Sequence, residues 1–243
     1  MINNFILDAH IHIDFYDNEF EIIREIIKNN INAIFVTHLP ELYMKYEKSI
    51  NNISNIFLAV GFHPVLVNEY DFNEKLFVES LKKTRFVGEV GLDFTIARSE
   101  KSRKKQVLVF NKICRLSNDH ILSIHSRNAE KEVLDILIKN KVKKAIFHWY
   151  TGSESILESI IEAGYYFSLN PSMLKSSKGK NILKKIPLDK IFIETDGPFV
   201  KYKKSIITPN NFENIYNSFE AFYNIDAFIN IRVTGIAFPA RKT

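Results

Sequence analysis

The stretch ILSIHSRNAEKEVLDILIKNKVKKAIFH, residues 121–148, contains one complete unit of the predicted fold. Ile121–Ile124 and Ala145–Phe147 are short apolar runs, which are typical of buried strands. Between them, the apolar residues from Val133 to Ile138 recur at three- and four-residue steps, the period of an amphipathic helix. A strand, a helix and a second strand in this order predict two parallel strands joined by a right-handed crossover.

The same alternation continues in both directions from this stretch, with no linker, repeat or low-complexity segment. The candidate strands are Phe5–Leu7, Ala33–Val36, Ile56–Val60, Phe86–Val87, Ile121–Ile124, Ala145–Phe147, Tyr165–Ser168 and Ile191–Ile193. Roughly eight βα units in 243 residues predict an α/β fold, a single-domain (β/α)8 TIM barrel over residues 1–243. The alternative is an open doubly wound sheet, but no glycine-rich phosphate loop follows the first strand.

Composition limits the class of protein. With 46% hydrophobic and 25% charged residues, the chain resembles an ordinary globular protein and not a disordered one. The formal charge of +5 permits an acidic partner such as nucleic acid without requiring one. A single cysteine, Cys114, excludes an intrachain disulfide framework. Asp8 and His10 interrupt any signal sequence, and no apolar run is long enough for a membrane span, so we expect a soluble, cytoplasmic protein.

The histidines share a position relative to the predicted strands. Six of the seven lie at or just past the C-terminal end of a strand, namely His10, His12, His38, His63, His125 and His148. Barrel enzymes place their chemistry at these strand ends. Because residues two apart in a strand project to the same face, the first strand presents His10 and His12 together.

Two carboxylates share this position: Glu89 follows the fourth strand and Asp196 the eighth. Imidazoles and carboxylates together form a ligand set suited to Zn²⁺ or Mn²⁺. A lone His-X-His pair is weak evidence, and a buried carboxylate at a strand end is often satisfied by backbone amides. The joint pattern favours a metal site, because several uncompensated buried charges would be costly. His38 lacks a second candidate ligand nearby in the sequence and is not included.

Six short motifs occur in a fixed order between about Phe5 and Phe199. They are Asp8-Ala9-His10-Ile11-His12, Gly61-Phe62-His63-Pro64, Gly88-Glu89-Val90-Gly91-Leu92-Asp93, Ile124-His125-Ser126-Arg127, Phe147-His148-Trp149-Tyr150-Thr151-Gly152 and Glu194-Thr195-Asp196-Gly197-Pro198. With these motifs the sequence resembles the TatD family of metal-dependent nucleases, within the amidohydrolase superfamily.

The resemblance implies two divalent ions, Zn²⁺, Mn²⁺ or Mg²⁺, which activate a water for attack on a phosphodiester. It implies a first metal position held by His10, His12, Glu89 and Asp196, and a second held by Glu89, His125 and His148. Glu89 would bridge the two positions, and Asp196 would also accept a proton. His63 and Glu194 resemble accessory residues that could hold a third ion, contact phosphate or orient a ligand.

The sequence leaves two alternatives open for each candidate substrate-binding side chain. Arg127 is predicted to share a face with His125 and could contact a phosphate oxygen, or it could pair with a structural carboxylate. Trp149 and Tyr150 could stack on an unpaired base or pack in the core, and Phe199 has the same two alternatives. Three basic clusters begin on the catalytic side of the predicted barrel, and they favour DNA, single-stranded or at its ends, as partner. These clusters are Arg98–Lys105, Lys175–Lys180 and Lys201–Lys204.

A finer resemblance is to the QatD branch, which belongs to a bacterial anti-phage gene cassette. It rests on residues 148–153, 167–174 and 196–199, and it implies an antiviral role with other defence subunits as partners. Beyond Phe199 the closing motif of the family is not found, which leaves the C-terminal helix and the tail Thr234–Thr243 unassigned. Two other functions remain open: hydrolysis of small esters, amides or phosphotriesters, and a non-catalytic role in a defence complex.

Overall fold

The computed structural model describes residues 6–50 and 52–225. Eight strands of one sheet lie along this range, and each candidate strand is found in its predicted place, Phe5 being outside the described residues. They are β1 Ile6–Ile11, β2 Ile31–Val36, β3 Ile56–Ala59, β4 Phe86–Asp93, β5 Ile121–Arg127, β6 Lys144–His148, β7 Tyr166–Leu169 and β8 Ile191–Ile193. Strands β4 and β5 run further than predicted, because they continue through polar residues that are buried.

Helices alternate with these strands. They are α1 Glu19–Lys28, α2 Pro40–Ile50, α3 Glu74–Leu81, α4 Glu100–Leu116, α5 Glu130–Lys139, α6 Glu154–Glu162, α7 Ser177–Lys185 and α8 Phe212–Tyr223. Several begin at a side-chain cap, as when the Asn18 side chain accepts from the Glu21 N–H. Helix α8 is the C-terminal helix that the missing closing motif left unassigned, and it buries Phe212, Ile215 and Phe219. The tail Thr234–Thr243 lies outside the described residues.

The strands follow the order β3-β2-β1-β8-β7-β6-β5-β4 in one sheet. Directly after β3, Val60 forms a parallel bridge with Val87 of β4, and the Gly88 N–H donates to the Val60 carbonyl at 2.9 Å. This bridge joins the first and last strands of the order. The structure therefore confirms the (β/α)8 barrel, nearly closed, and excludes the open doubly wound sheet.

The described chain divides into two compact units. The first unit comprises the residues up to Phe35, Ile53–Phe57 and the residues from Phe167 onward. In it β1 pairs in parallel with β2 and with β8, Asp8 lying opposite Ile193. The single domain over residues 1–243 stays a prediction.

The second unit comprises Val36–Asn52 and Leu58–Tyr166. In it β4 pairs in parallel with β5, Gly91 lying opposite His125, and β5 pairs in parallel with β6. All eight residues of β4 are buried, which is typical of a parallel strand covered on both faces.

A short antiparallel hairpin after β8 is absent from the sequence prediction. Its strands, β9 Lys201–Tyr202 and β10 Ser205–Ile206, have two residues each, too few for a period-two pattern. Within the described ranges, none of the helices combines the length and the apolar character that crossing a membrane requires.

Candidate metal centre

In the second unit, three histidines surround one carboxylate oxygen. Glu89 Oε1 lies 2.5 Å from His125 Nδ1, 2.9 Å from His148 Nε2 and 3.3 Å from His63 Nε2. Glu89 is only 2% exposed and the three rings are also buried. A buried carboxylate facing three ring nitrogens is a donor set that fits a divalent ion such as Zn²⁺. Of the predicted residues, the structure thus brings Glu89, His125, His148 and the accessory His63 together.

Neighbouring groups hold these rings in place. The His63 Nδ1 accepts the Val65 N–H at 3.3 Å, which leaves Nε2 directed at Glu89. On His125, Nε2 lies 3.0 Å from Asp93 Oδ2, so this ring is held between two carboxylates. Such outer partners fix the orientation of a metal ligand and tune its basicity.

The contact between Asp93 and His125 shifts the pKa values of both side chains. Burial opposes ionisation of Asp93, but hydrogen bonds from His125 and Thr95 outweigh it and hold the pKa of Asp93 well below its ordinary value. Burial likewise opposes protonation of His125, yet the charge of Glu89 and hydrogen bonds to Asp93 and Glu89 raise its pKa. Asp93 ends the motif that begins at Gly88, but the sequence analysis predicts no role for it. Its spacing of four residues from Glu89 on the same strand is the signal that would have indicated it.

In the first unit, His10 and His12 meet Asp196. The two Nε2 atoms lie 3.1 Å apart, and Asp196 Oδ1 lies 3.4 Å from His12 Nε2 and 3.9 Å from His10 Nε2. Two nitrogens bound at about 2.05 Å to one tetrahedral ion lie about 3.3 Å apart. The observed pair is therefore already close to the spacing that a shared ion requires.

Asp8 fastens β1 to the loop after β8. Its carboxylate accepts the Thr195 N–H at 3.0 Å and the Thr195 hydroxyl at 2.6 Å, while the Asp196 N–H donates to the His10 carbonyl at 2.9 Å. Burial, opposed by these hydrogen bonds, raises the pKa of Asp8 to about 7. Asp8 therefore positions His10 and Asp196, a role that the sequence prediction missed although the first motif begins at this residue.

The remaining candidates lie in different environments. Glu194 is fully buried, accepts from the Ser168 hydroxyl and from the Asn170 amide at 3.3 Å, and has a carboxylate oxygen within 4.8 Å of a His10 ring nitrogen. Arg127 is exposed at the end of β5. Each of these placements leaves the accessory role of the residue a prediction.

The two candidate base-stacking residues after β6 differ from each other. Tyr150 is 1% exposed, and its hydroxyl donates to the Ser153 carbonyl at 2.7 Å, so core packing describes this side chain. Trp149 is partly exposed and adopts a left-handed backbone conformation, with φ of 37°. At this loop, Trp149 is the side chain placed to stack on a base, and this stacking stays a prediction.

Comparison with known proteins gives the family. The family model described as TatD related DNase matches residues 7–233, most of the chain. The chain belongs to the TatD family. This confirms the resemblance drawn from the six motifs and makes the protein a member of a family of metal-dependent hydrolases and deoxyribonucleases.

Several TatD relatives are similar over most of their length. The human deoxyribonuclease TATDN3 is 26% identical over 221 residues, covering 83% of this chain and 81% of that protein. The uncharacterised metal-dependent hydrolase YabD of Bacillus subtilis is 29% identical over 203 residues, covering 79% of each chain. The crystal structure of YJJV, a TatD homologue from Escherichia coli K12, superposes with a TM-score of 0.77 at 19% identity, covering 91% of each chain, and shows the shared fold.

Proposed function

We propose that this protein cleaves phosphodiester bonds of DNA with a water that two divalent ions activate. The observation that carries the proposal is the ring of His63, His125 and His148 nitrogens around Glu89 Oε1. Nothing in the packing of a barrel requires three imidazoles at a buried carboxylate, whereas a metal-dependent hydrolase does.

The residues of the chain would divide the work as follows. Bound ions would polarise the phosphoryl oxygen and lower the pKa of the attacking water. Glu89, His125 and His148 would hold one ion, with the accessory residue His63 beside them. His10, His12 and Asp196 would hold another, because the spacing of the two ring nitrogens fits a shared ion. The nitrogen-rich donor sets favour Zn²⁺ or Mn²⁺ over Mg²⁺.

Three finer assignments stay predictions from the family resemblance. One is the sharing of Glu89 between both ions, another is a third ion at His63 or Glu194, and the last is proton transfer to Asp196. Asp196 is 4% exposed and lies beside two imidazoles, an environment that suits a carboxylate which binds an ion and receives a proton.

Two observations support DNA as substrate. The similar human protein is a deoxyribonuclease, and Lys201, Lys203 and Lys204 follow Asp196 closely in the sequence. We expect single-stranded DNA or DNA ends, because a buried metal site reaches an unpaired strand more readily than the centre of a duplex. A cytoplasmic location stays a prediction.

The test combines metal content with cleavage of single-stranded DNA for the wild type, Glu89→Gln and a control, Glu132→Gln. Glu132 is exposed on α5 and has the same side chain as Glu89. We expect the wild type and the control to bind about two ions per chain and to cleave, and Glu89→Gln to lose metal and activity together. Metal binding without cleavage of DNA would refute the nuclease and point to small esters, amides or phosphotriesters. Cleavage retained in Glu89→Gln would refute the metal mechanism.

We also propose an antiviral role with partner subunits, as in the QatD branch. The support is the amino-acid sequence of three segments, residues 148–153, 167–174 and 196–199. A phage-plating assay on cells carrying the complete cassette tests it, with the wild-type chain compared with Asp196→Asn. We expect protection to disappear in the variant. Protection that survives would favour a non-catalytic role in the complex.

A further inference from the structure

Two exposed phenylalanines lie against a metal-ligand histidine in the first unit. Phe15 is 48% exposed and Phe199 is 54% exposed. Their ring centroids lie 5.1 Å apart, and the His12 ring lies 5.1 Å from Phe199 and 5.9 Å from Phe15. Apolar ring surface that stays exposed to water is unfavourable, so such a pair beside a candidate active site indicates a ligand surface.

Each phenylalanine follows a candidate metal ligand by three residues. Phe15 ends the 3₁₀-helix Ile13–Phe15, and its N–H donates to the His12 carbonyl at 3.2 Å. Phe199 comes after a tight turn, and its N–H donates to the Asp196 carbonyl at 3.0 Å. One-turn hydrogen bonds thus tie the backbone of both phenylalanines to the residues that would hold the ion.

The segments that carry the rings are also tied together. The Tyr16 hydroxyl donates to the Ile207 carbonyl at 2.7 Å, at the base of the β9–β10 hairpin. The His12 N–H donates to the Gly197 carbonyl at 2.9 Å, and a Cβ at Gly197 would occupy the position of the Tyr16 hydroxyl. The aromatic pair is therefore part of a rigid surface, as a pre-organised binding site requires.

The hairpin that follows Phe199 is positively charged. Lys201, Lys203 and Lys204 are exposed on it, and Lys175 is exposed and donates to the Lys201 carbonyl at 2.9 Å. Cations that follow an aromatic surface in this way suit a ligand with flat rings and a negatively charged backbone, and an unpaired strand of nucleic acid has both.

We propose that Phe15 and Phe199 form a stacking platform for an unpaired nucleobase next to the scissile phosphate, with the hairpin lysines on the neighbouring phosphates. The inference rests on the proposed nuclease function and deepens it. It makes the protein specific for a strand whose bases are unstacked, because a paired base cannot lie on the platform. Of the two alternatives given for Phe199 in the sequence analysis, base stacking and core packing, the proposal selects base stacking.

The test measures kcat/KM on a set of 12-nucleotide single strands, each identical except for one abasic residue placed in turn along the strand. The proteins are the wild type, Phe15→Leu/Phe199→Leu and Phe199→Tyr, all loaded with metal and checked for equal metal content. Phe20→Leu is the matched control, since Phe20 is 78% exposed on α1. Leucine keeps an apolar side chain but removes the ring, whereas tyrosine keeps the ring.

We expect the wild type to lose on the order of ten-fold in kcat/KM when the abasic residue flanks the cleaved bond. The double variant should lose a similar factor on the complete strand and show no further loss on the abasic strand. Phe199→Tyr keeps a ring and should retain the loss on the abasic strand, whereas Phe20→Leu, away from the platform, should behave as the wild type. Two results would overturn the platform alone. One is a double variant that loses the same factor in kcat/KM on the complete and on the abasic strand, and the other is a double variant that still prefers the complete strand as strongly as the wild type does. A wild type that binds metal but cleaves none of the strands would overturn the nuclease function instead.

Discussion

His125 lies between two carboxylates, with Nδ1 towards Glu89 and Nε2 towards Asp93. Asp93 in turn accepts the Thr95 N–H at 2.9 Å and the Thr95 hydroxyl, so its position is fixed before any ion binds. At the residue scale, we therefore expect the affinity of His125 for an ion to depend on Asp93, which supports the ring from its other side.

We expect Asp93→Asn to weaken metal binding by roughly 10–100-fold while the fold is retained. The amide keeps the shape and can still accept from Thr95, but it removes the negative charge that supports His125. Competition for Zn²⁺ against a chromogenic chelator measures the change. Asp135→Asn on the exposed side of α5 is the control. An unchanged affinity would show that Asp93 only supports the local fold.

At the scale of elements, β4 carries the candidate ligand Glu89 and its neighbour Asp93. Glu89, Gly91 and Asp93 alternate along it, so they share one face of the strand. Gly91 has a φ of 144° and lies directly against the His125 carbonyl of β5, leaving no room for a Cβ. This close approach brings His125 to both Glu89 and Asp93.

We expect Gly91→Ala to destabilise the protein by about 3 kcal/mol or more, since it combines a backbone conformation that alanine avoids with overlap against β5. Gly164→Ala is the matched control. Gly164 also has a positive φ, 84°, but nothing lies within 4 Å of the added Cβ, so the cost should be about 1 kcal/mol. Urea unfolding of both variants measures the difference. Equal losses would mean that backbone strain, and not the approach of β5, sets the cost.

On the whole-molecule scale, bound ions and folding are linked. An ion that binds only the folded chain stabilises it by about 2.7 kcal/mol at one hundred times its Kd. The two clusters contain buried groups whose mutual repulsion or desolvation an ion would relieve.

We expect a chelator to lower the Tm of the metal-loaded protein by about 5–10 °C for each ion lost, given the usual scaling for a chain of this size. Differential scanning calorimetry with and without chelator measures the shift. Glu132→Gln should shift as the wild type does, and Glu89→Gln should show a smaller shift or none. A chelator effect of the same size in Glu89→Gln would place the stabilising ion elsewhere.

The sequence by itself determined where the eight strands lie along the chain, and it singled out the candidate metal ligands. Hydrophobic period is a local property, so eight strands could be located, with errors only at ends such as those of β4 and β5, where buried polar residues break the apolar pattern. The histidines and carboxylates could be predicted as candidate ligands because their positions at strand ends can be read from the linear sequence.

Only the tertiary structure decided which residues support that chemistry. Asp93, Asp8 and Phe15 contact partners on other strands or loops, and Tyr150, two residues after His148, is buried. The physical reason is that contact depends on backbone register and side-chain direction, which packing sets over the whole chain. Residue type and spacing limit these contacts but do not fix them.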